Sequence, residues 1–218
     1  MEGNLNLDWN ALFSAGVGAV AGATAAFALG AVYKSIRSRR RNVAAIRHCY
    51  YVFSSQWHSI IDLKVAANPF FEEQPNLGLI LSEIHPLGPA LKIDYDSLWF
   101  IGVSRDPDLL NRINIVEKIY LTADYYVEKL LQLQLNLKSK YYDEIIVRDV
   151  GTGSVSIPLT ELEKIDWRSH QRAMTQTLNR AEKMLRGMLS ELEAFTKKEF
   201  PGEKMIQLKP YEKPKDPV

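Results

Sequence analysis

The order of apolar and polar positions divides this chain into one uncharged run near its start and three long segments with helical periodicity. From Ala11 to Tyr33 there are 23 residues without a charged side chain. Further along, apolar residues recur at three- and four-residue spacing, which places them on one face of an α-helix. The pattern predicts an all-α protein in which a long N-terminal helix leads into a helical bundle.

The uncharged run has the length of a helix that crosses a membrane. As a helix, 23 residues extend about 35 Å, compared with about 30 Å for the hydrocarbon core of a bilayer. Glu2 and Asp8 precede the run and basic residues follow it, which is the reverse of the order in a cleaved signal peptide. We therefore expect a signal-anchor in the plasma or inner membrane, with residues 1–8 outside, a single-pass transmembrane helix over 9–33, and the rest cytoplasmic.

A basic juxtamembrane segment over residues 34–41 follows the run. Basic side chains close to a membrane span tend to stay on the cytoplasmic side, so this segment sets the orientation. The same charges favour anionic lipid at the cytoplasmic face of the bilayer, at about 1 kcal/mol for each basic residue near the surface. The residues that we expect to contact lipid headgroups are Lys34, Arg37, Arg39, Arg40 and Arg41.

Charge argues against a nucleic-acid partner. The whole chain has a formal net charge of +1, but the segment 34–41 contributes five positive charges and the residues before it two negative ones. Residues 42–218 therefore carry −2. A mildly acidic domain is poorly matched to a phosphate backbone, so we expect no nucleic acid.

Small residues recur at every fourth position within the run, and on a helix they form one slowly drifting stripe. Small side chains let two helix backbones approach closely in a bilayer, and Gly18 and Gly22 have the spacing of a common helix-dimer motif. The alternative is that Gly and Ala are simply frequent in membrane helices. We expect lateral association, as a homo-oligomer or with another membrane protein, through Ser14, Gly18, Gly22, Ala26 and Gly30.

Three periodic segments predict a cytoplasmic antiparallel bundle over residues 42–200. The first segment continues from the uncharged run and ends before Pro69. The second begins at Asp106, a favourable N-cap residue, and the third at the capping-box pair Thr160 and Glu163. The apolar stripes that we expect to form the core are Val43, Ile46, Tyr50, Phe53, Trp57 and Ile60; Leu109, Ile113, Val116, Tyr120, Ala123, Val127, Leu130 and Leu137, with Gln134 as a polar member; and Trp167, Met174, Leu178, Ala181, Leu185, Met188, Leu192 and Phe195.

Shorter patterns complete the expected architecture. Residues 76–84 and 96–102 each predict a short helix, and the Gly-rich turn within 145–157 predicts a small hairpin or loop insertion. Residues 131–137, LQLQLNL, alternate as a strand would, but we expect a helix because the three-four stripe passes through them. Residues 201–218 contain four prolines and are expected to form a flexible Pro-rich tail.

The search for reactive groups assigns no catalytic residue, no metal ligand and no cofactor. The four histidines are scattered without zinc-site spacing, and the Gly-rich turn lacks the Lys-Ser/Thr ending of a phosphate-binding loop. Asp94 and Asp96 suit a helix start better than a metal site. His170 lies on the stripe of the third helix, where we expect a hydrogen-bonded core residue. Cys49 is the only cysteine, so we expect a buried reduced thiol.

These patterns favour a membrane-tethered helical interaction or scaffold protein that is non-catalytic. It would be anchored in the lipid bilayer, and would self-associate or recruit a cytosolic protein partner there. The alternative is an oligomeric membrane effector or channel subunit assembled through the small-residue stripe, although the run offers only Ser14 and Thr24 as polar side chains to line a pore. A third hypothesis is an enzyme with its site at the open end of the bundle.

Overall fold

The computed structural model describes residues 9–66, 86–87, 91–104, 106–141, 146–149, 154–156 and 159–205. It describes the side chains in these ranges from residue 20 onward, apart from those of residues 21, 66 and 104 and of the strands. The described residues form four helices and two short strands. These are α1 (Trp9–Ala66), α2 (Tyr95–Ser104), α3 (Pro107–Lys140), β1 (Ile146–Asp149), β2 (Ser154–Ser156) and α4 (Glu161–Glu199).

Helix α1 is continuous from Trp9 to Ala66, as the absence of Gly and Pro after residue 30 predicted. The chain divides into two compact units, Met1–Ala44 and Ala45–Val218. The second unit contains the helical bundle, so the all-α bundle prediction is confirmed.

In the part of the chain that the structure describes, no helix is long and apolar enough to cross a membrane. The transmembrane helix expected over residues 9–33 is therefore not supported by the structure. The side chains of residues 9–19 lie outside the described ones.

The predicted start signals of three helices are confirmed. The Asp106 side chain accepts a hydrogen bond from the Leu109 backbone N–H at 2.9 Å, which caps α3. At α4, Thr160 and Glu163 form the reciprocal capping box. The Asp94 carboxylate accepts a hydrogen bond from the Ser97 backbone N–H at 3.2 Å, which places Asp94 at the start of α2 as expected.

The predicted stripes of α3 and α4 belong to the core, together with residues of α1 and α2. Every residue of both stripes is buried, including Gln134, and the run at 131–137 is helical. On α1 the prediction was wrong at Trp57, which is only half-buried. The buried face of α1 is wider than the stripe, since Cys49, Val52, Gln56 and Leu63 are also buried.

Ion pairs show that α3 and α4 are antiparallel. Arg112, near the start of α3, is 2.8 Å from Glu191 near the end of α4. Lys140, the last residue of α3, is 2.6 Å from Glu163 in the first turn of α4. The two helices therefore run in opposite directions along their whole length.

The part of α1 within the second unit is also antiparallel to α4. The Tyr50 hydroxyl donates to Glu193 at 3.0 Å, and Lys64 is 2.6 Å from Glu182. Since α1 and α3 both oppose α4, they run in the same direction as each other. The antiparallel arrangement that we expected thus holds for each pairing with α4 but not between α1 and α3.

Strands β1 and β2 pair as an antiparallel hairpin between α3 and α4, with Ile146 opposite Ser156 and Val147 opposite Val155. The hairpin lies in the segment where we expected a hairpin or loop insertion. The short helix predicted over 76–84 lies outside the described residues, as do residues 1–8 and 206–218 of the two predicted terminal segments.

Candidate functional site

The part of α1 between Val20 and Arg41 exposes apolar side chains followed by basic ones. Phe27 is 81% exposed and Leu29 is 69% exposed, although both are large apolar residues. At 100° per residue the exposed apolar side chains point to several sides of the helix instead of to one stripe. A helix that is apolar on all sides is typical of a protein core or a membrane. The exposed large apolar residues of this part are Val20, Phe27, Leu29, Val32, Tyr33 and Ile36.

The described members of the small-residue stripe leave open space beside α1. A Cβ atom added at Gly22 or Gly30 would meet no other atom within 4 Å. Ala26, between them, is exposed. The surroundings of Ser14 and Gly18 lie outside the described part of the structure, and helix association through the stripe stays a prediction.

The five predicted headgroup-binding residues are all exposed, directly after the apolar stretch. Lys34, Arg37 and Arg41 lie on one side of the helix, while Arg39 and Arg40 point elsewhere. The positive charges therefore face several sides of the helix.

The lone thiol lies in the bundle and is not activated. Cys49 is fully buried, and burial together with the nearby Glu117 charge raises its pKa to about 12. The thiolate, which is the nucleophilic form, is therefore scarce at neutral pH. Cys49 belongs to the core, as expected.

Glu117 joins α3 to the start of α2. Its carboxylate accepts a hydrogen bond from the Tyr95 hydroxyl at 2.5 Å, and the backbone N–H of Ile93 lies 3.5 Å away. Burial and this hydrogen bond raise the pKa of Tyr95 above its ordinary value. The phenol therefore stays neutral and acts as a hydrogen-bond donor between two helices.

Two further phenols have the same structural role. Burial is the main cause that raises the pKa of Tyr50 to about 12, followed by its hydrogen bond to Glu193. Burial likewise raises the pKa of Tyr120 to about 12. Both side chains link helices of the bundle and neither is poised to transfer a proton near neutral pH.

Among the carboxylates that the structure describes, Glu163 has the most strongly lowered pKa. Its oxygens accept hydrogen bonds from Lys140, Tyr141 and Thr160, and these bonds lower its pKa to about 2, with Lys140 as the largest cause. The carboxylate fastens the end of α3 to the start of α4, so its perturbed pKa has a structural explanation.

The histidines do not converge in the described ranges, where no three metal-ligating side chains come together. His48 contacts the Lys92 carbonyl at 3.3 Å, and His58 contacts that of Ser54 at 2.6 Å. His170 is hydrogen-bonded as expected, to the Asp166 carbonyl at 2.9 Å, but it is partly exposed and not a core residue. It lies at the edge of the stripe, where the helix surface turns towards solvent. His85 is outside the described residues.

Comparison of the chain with protein-family models, with curated proteins and with solved structures found no match. The functional assignment therefore rests on the residues of this chain.

Proposed function

We propose that this protein is a membrane-tethered interaction or scaffold protein, in which the N-terminal part of α1 is the anchor and the bundle binds a protein partner. The observation that carries the proposal is the uncharged run from Ala11 to Tyr33, followed at once by the basic segment 34–41. Both belong to the one continuous helix α1.

The apolar side chains of this helix support a bilayer as its surroundings. Burial of apolar surface contributes about 25 cal/mol per Å², and large exposed apolar patches mark interaction or membrane sites. Phe27, Leu29 and Val32 expose their side chains without a partner in the described part of the chain. Acyl chains surround a helix on every side, which fits an apolar surface that is not confined to one face.

A single-pass anchor with lateral contacts is preferred to a pore. The open space at Gly22 and Gly30 would allow a second helix to pack against α1. This space agrees both with a single-pass anchor that has lateral contacts and with a pore. A pore-lining helix must offer polar groups to water. The Thr24 hydroxyl donates instead to the Val20 carbonyl of its own helix at 2.8 Å. The oligomeric effector or channel subunit remains the second candidate, and conductance of the reconstituted protein in planar bilayers tests it.

Alkaline carbonate extraction of native membranes tests the anchor. The full chain should stay in the membrane pellet, while Phe27→Asp with Leu29→Asp should move a large fraction to the supernatant, because each charge is costly in the hydrocarbon core. Leu121→Asp with Leu135→Asp, at exposed positions of α3, is the matched control and should stay in the pellet. Recovery of the unmodified chain in the supernatant would refute the anchor.

Protease protection tests the orientation. A tag added after Val218 should resist protease in intact cells or spheroplasts and become sensitive on permeabilisation, because the basic segment should stay cytoplasmic. Cleavage of the tag in intact cells would contradict that orientation.

Lateral association has a test with a built-in control. Gly18→Leu with Gly22→Leu should keep membrane insertion but weaken crosslinking between helices, because two leucines separate the backbones. Ala19→Leu with Ala23→Leu has the same spacing but lies about 100° further round the helix, and should leave crosslinking unchanged. Equal crosslinking in the original chain and both variants would exclude this stripe as the contact.

A further inference from the structure

The solvent-facing side of α4 carries charge of one sign. Its basic residues recur at positions that lie on this side of the helix. For example, Arg168 and Arg186 point the same way because about five full helical turns separate them. All are exposed. From Arg168 to Lys198, a length of about 45 Å at 1.5 Å per residue, no acidic residue lies on this side. We call it the basic face of α4, which comprises Arg168, Arg172, Arg180, Lys183, Arg186, Lys197 and Lys198.

Between Arg168 and Lys198, three acidic residues of α4 make contacts on its other sides. Glu182 pairs with Lys64 of α1 at 2.6 Å, and Glu193 accepts the hydrogen bond from Tyr50. On the α3 side, Glu191 lies 2.8 Å from Arg112. These three carboxylates are held in contacts between helices, whereas Arg180, Lys183 and Arg186 are exposed. This arrangement gives a basic face to a unit whose overall charge is slightly negative.

Small and uncharged residues lie between the basic ones. Ser169, Gln176, Gly187, Ser190 and Ala194 are exposed on the same side of α4, and a Cβ atom at Gly187 would meet nothing within 4 Å. A row of charges with small residues between them allows another backbone to lie close alongside. Between Arg168 and Lys198 this side of α4 has no large apolar side chain, although the exposed Ile165 points the same way one turn earlier.

We propose that the basic face of α4 binds an acidic helix of a protein partner. This inference rests on the proposed interaction or scaffold function and names the chemistry of the partner. Glu and Asp side chains spaced three and four residues apart along such a helix would face the row of Arg and Lys. Arginine binds carboxylates with two parallel hydrogen bonds, which favours Arg180 and Arg186 as specific contacts.

The shape of the face favours a helix over other anions. A peripheral membrane helix sets basic residues beside an apolar face that enters the lipid. The apolar face of α4 is buried in the bundle core. Nucleic acid presents a broad, dense negative surface, which the net charge of −2 on residues 42–218 opposes. The basic residues cover an arc of about 120° around α4, from Arg168 and Arg186 to Arg180 and Lys198, so they can contact one partner helix from both of its flanks.

Fluorescence anisotropy of the full chain in neutral detergent tests the proposal. The probe is a labelled 21-residue helical peptide on an alanine and glutamine background, with glutamates three and four residues apart along one face. A peptide with glutamine in place of each glutamate is the probe control. The glutamate peptide should bind with an affinity that falls as salt rises, and the glutamine peptide should not bind.

Matched variants locate the binding. Arg180→Gln, Lys183→Gln and Arg186→Gln together should weaken binding about tenfold or more, since several exposed charge pairs are lost. Lys92→Gln, Lys118→Gln and Lys129→Gln remove the same charge from exposed positions outside α4 and should change binding less than about twofold. Far-UV dichroism and thermal unfolding of both variants should match the original chain, because all six positions are exposed.

Three results would overturn the proposal: no binding of the glutamate peptide, equal weakening by both triple variants, or tighter binding of phosphatidylserine vesicles or duplex DNA through the same three residues. The α4 variants leave the uncharged run of α1 intact. Carbonate extraction therefore reports on the anchor independently, and failure of the basic face is distinguishable from failure of the tether.

Discussion

At the residue scale, two buried glutamines interrupt the apolar faces of the bundle. Gln56 lies on α1 and Gln134 on α3, and each is only 3% exposed. Within the part of the chain that the structure describes, the amide oxygen and nitrogen of Gln56 and the amide nitrogen of Gln134 have no hydrogen-bond partner. A buried polar group without a partner costs about 1–3 kcal/mol. We therefore expect both side chains to lower the stability of the core.

We expect Gln56→Met to stabilise the fold. Methionine has a similar volume and no polar group that must leave water, so the free energy of unfolding should rise by about 1 kcal/mol. Urea unfolding followed by far-UV dichroism measures the change. Gln132→Met at an exposed position of α3 is the control and should change stability by less than about 0.5 kcal/mol. A loss of stability in Gln56→Met would show that the amide is hydrogen-bonded in solution.

Glu163 should make the stability of the bundle depend on pH in the acid range. Its pKa falls from an ordinary value of 4.5 to about 2, so the folded protein binds fewer protons than the unfolded chain between these values. The contribution of Glu163 is therefore fully present above pH 4.5 and is lost as pH falls towards 2.

Glu163→Gln removes this dependence while keeping a hydrogen-bonding side chain at the capping box. At pH 7 the substitution should cost about 1 kcal/mol, which is the usual size of a cap contribution plus a partly exposed ion pair. Urea unfolding from pH 7 to pH 2.5 should show the difference from the original chain shrinking as pH falls. A difference that stays constant across this range would show that the charge of Glu163 does not contribute.

Cys49 should be inert in the folded protein. A rise in pKa from 9.0 to about 12 lowers the thiolate fraction at neutral pH about a thousandfold. Full burial also blocks access of a reagent. Labelling with a thiol-specific chromogenic disulfide should therefore be slow without denaturant and reach one thiol per chain in urea. Rapid labelling without denaturant would mean that α1 opens locally.

At the element scale, the sequence predicted helices where local chemistry and periodicity agree. Asp106 and Thr160 occupy N-cap positions, and the stripes that follow them face the core along the full length of α3 and α4. Trp57 was misplaced because the local spacing did not show where the buried face of α1 is centred. Cys49, Val52 and Gln56 are also buried, which puts Trp57 towards the edge of that face.

Two leucines on α3 test the assignment of its faces. Leu130 is fully buried, whereas Leu135, five residues later, is 63% exposed. Leu130→Ala should lower the free energy of unfolding by about 2–5 kcal/mol through lost burial and a cavity, and Leu135→Ala by less than about 0.5 kcal/mol. Chemical denaturation of both variants gives the comparison. Similar losses would contradict the orientation of the helix.

At the scale of the whole molecule, partnerships between distant residues were beyond the sequence. Tyr95 with Glu117 and Tyr50 with Glu193 become neighbours only through packing, and neither pair has a spacing that a motif search recognises. The parallel course of α1 and α3 was missed for the same reason, because an apolar stripe carries no direction. The basic face of α4 was missed because its charges alternate with polar and core residues along the chain, and only the packed bundle shows which side is exposed.

The division into two units predicts that the bundle folds without the N-terminal part of α1. Apart from Val43, every buried apolar residue of the described structure lies at or beyond Ile46. The fully formed ion pairs and hydrogen bonds between α1, α3 and α4 also lie in the second unit. A chain that starts at Asn42 therefore keeps the groups on which stability depends.

Such a chain should be soluble without detergent and should have a far-UV dichroism spectrum dominated by helix. It should unfold cooperatively in urea, as expected for a single compact core of this size. Leu130→Ala in this shorter chain should lower its stability by about 2–5 kcal/mol, which links the transition to the α3–α4 core.

If the proposed anchor lies before Asn42, the same chain should no longer float with anionic vesicles in a density gradient, whereas the full chain should. A shorter chain that is soluble but still floats would move the membrane contact into the bundle, and one that aggregates would show that the bundle needs the N-terminal part of α1 to fold.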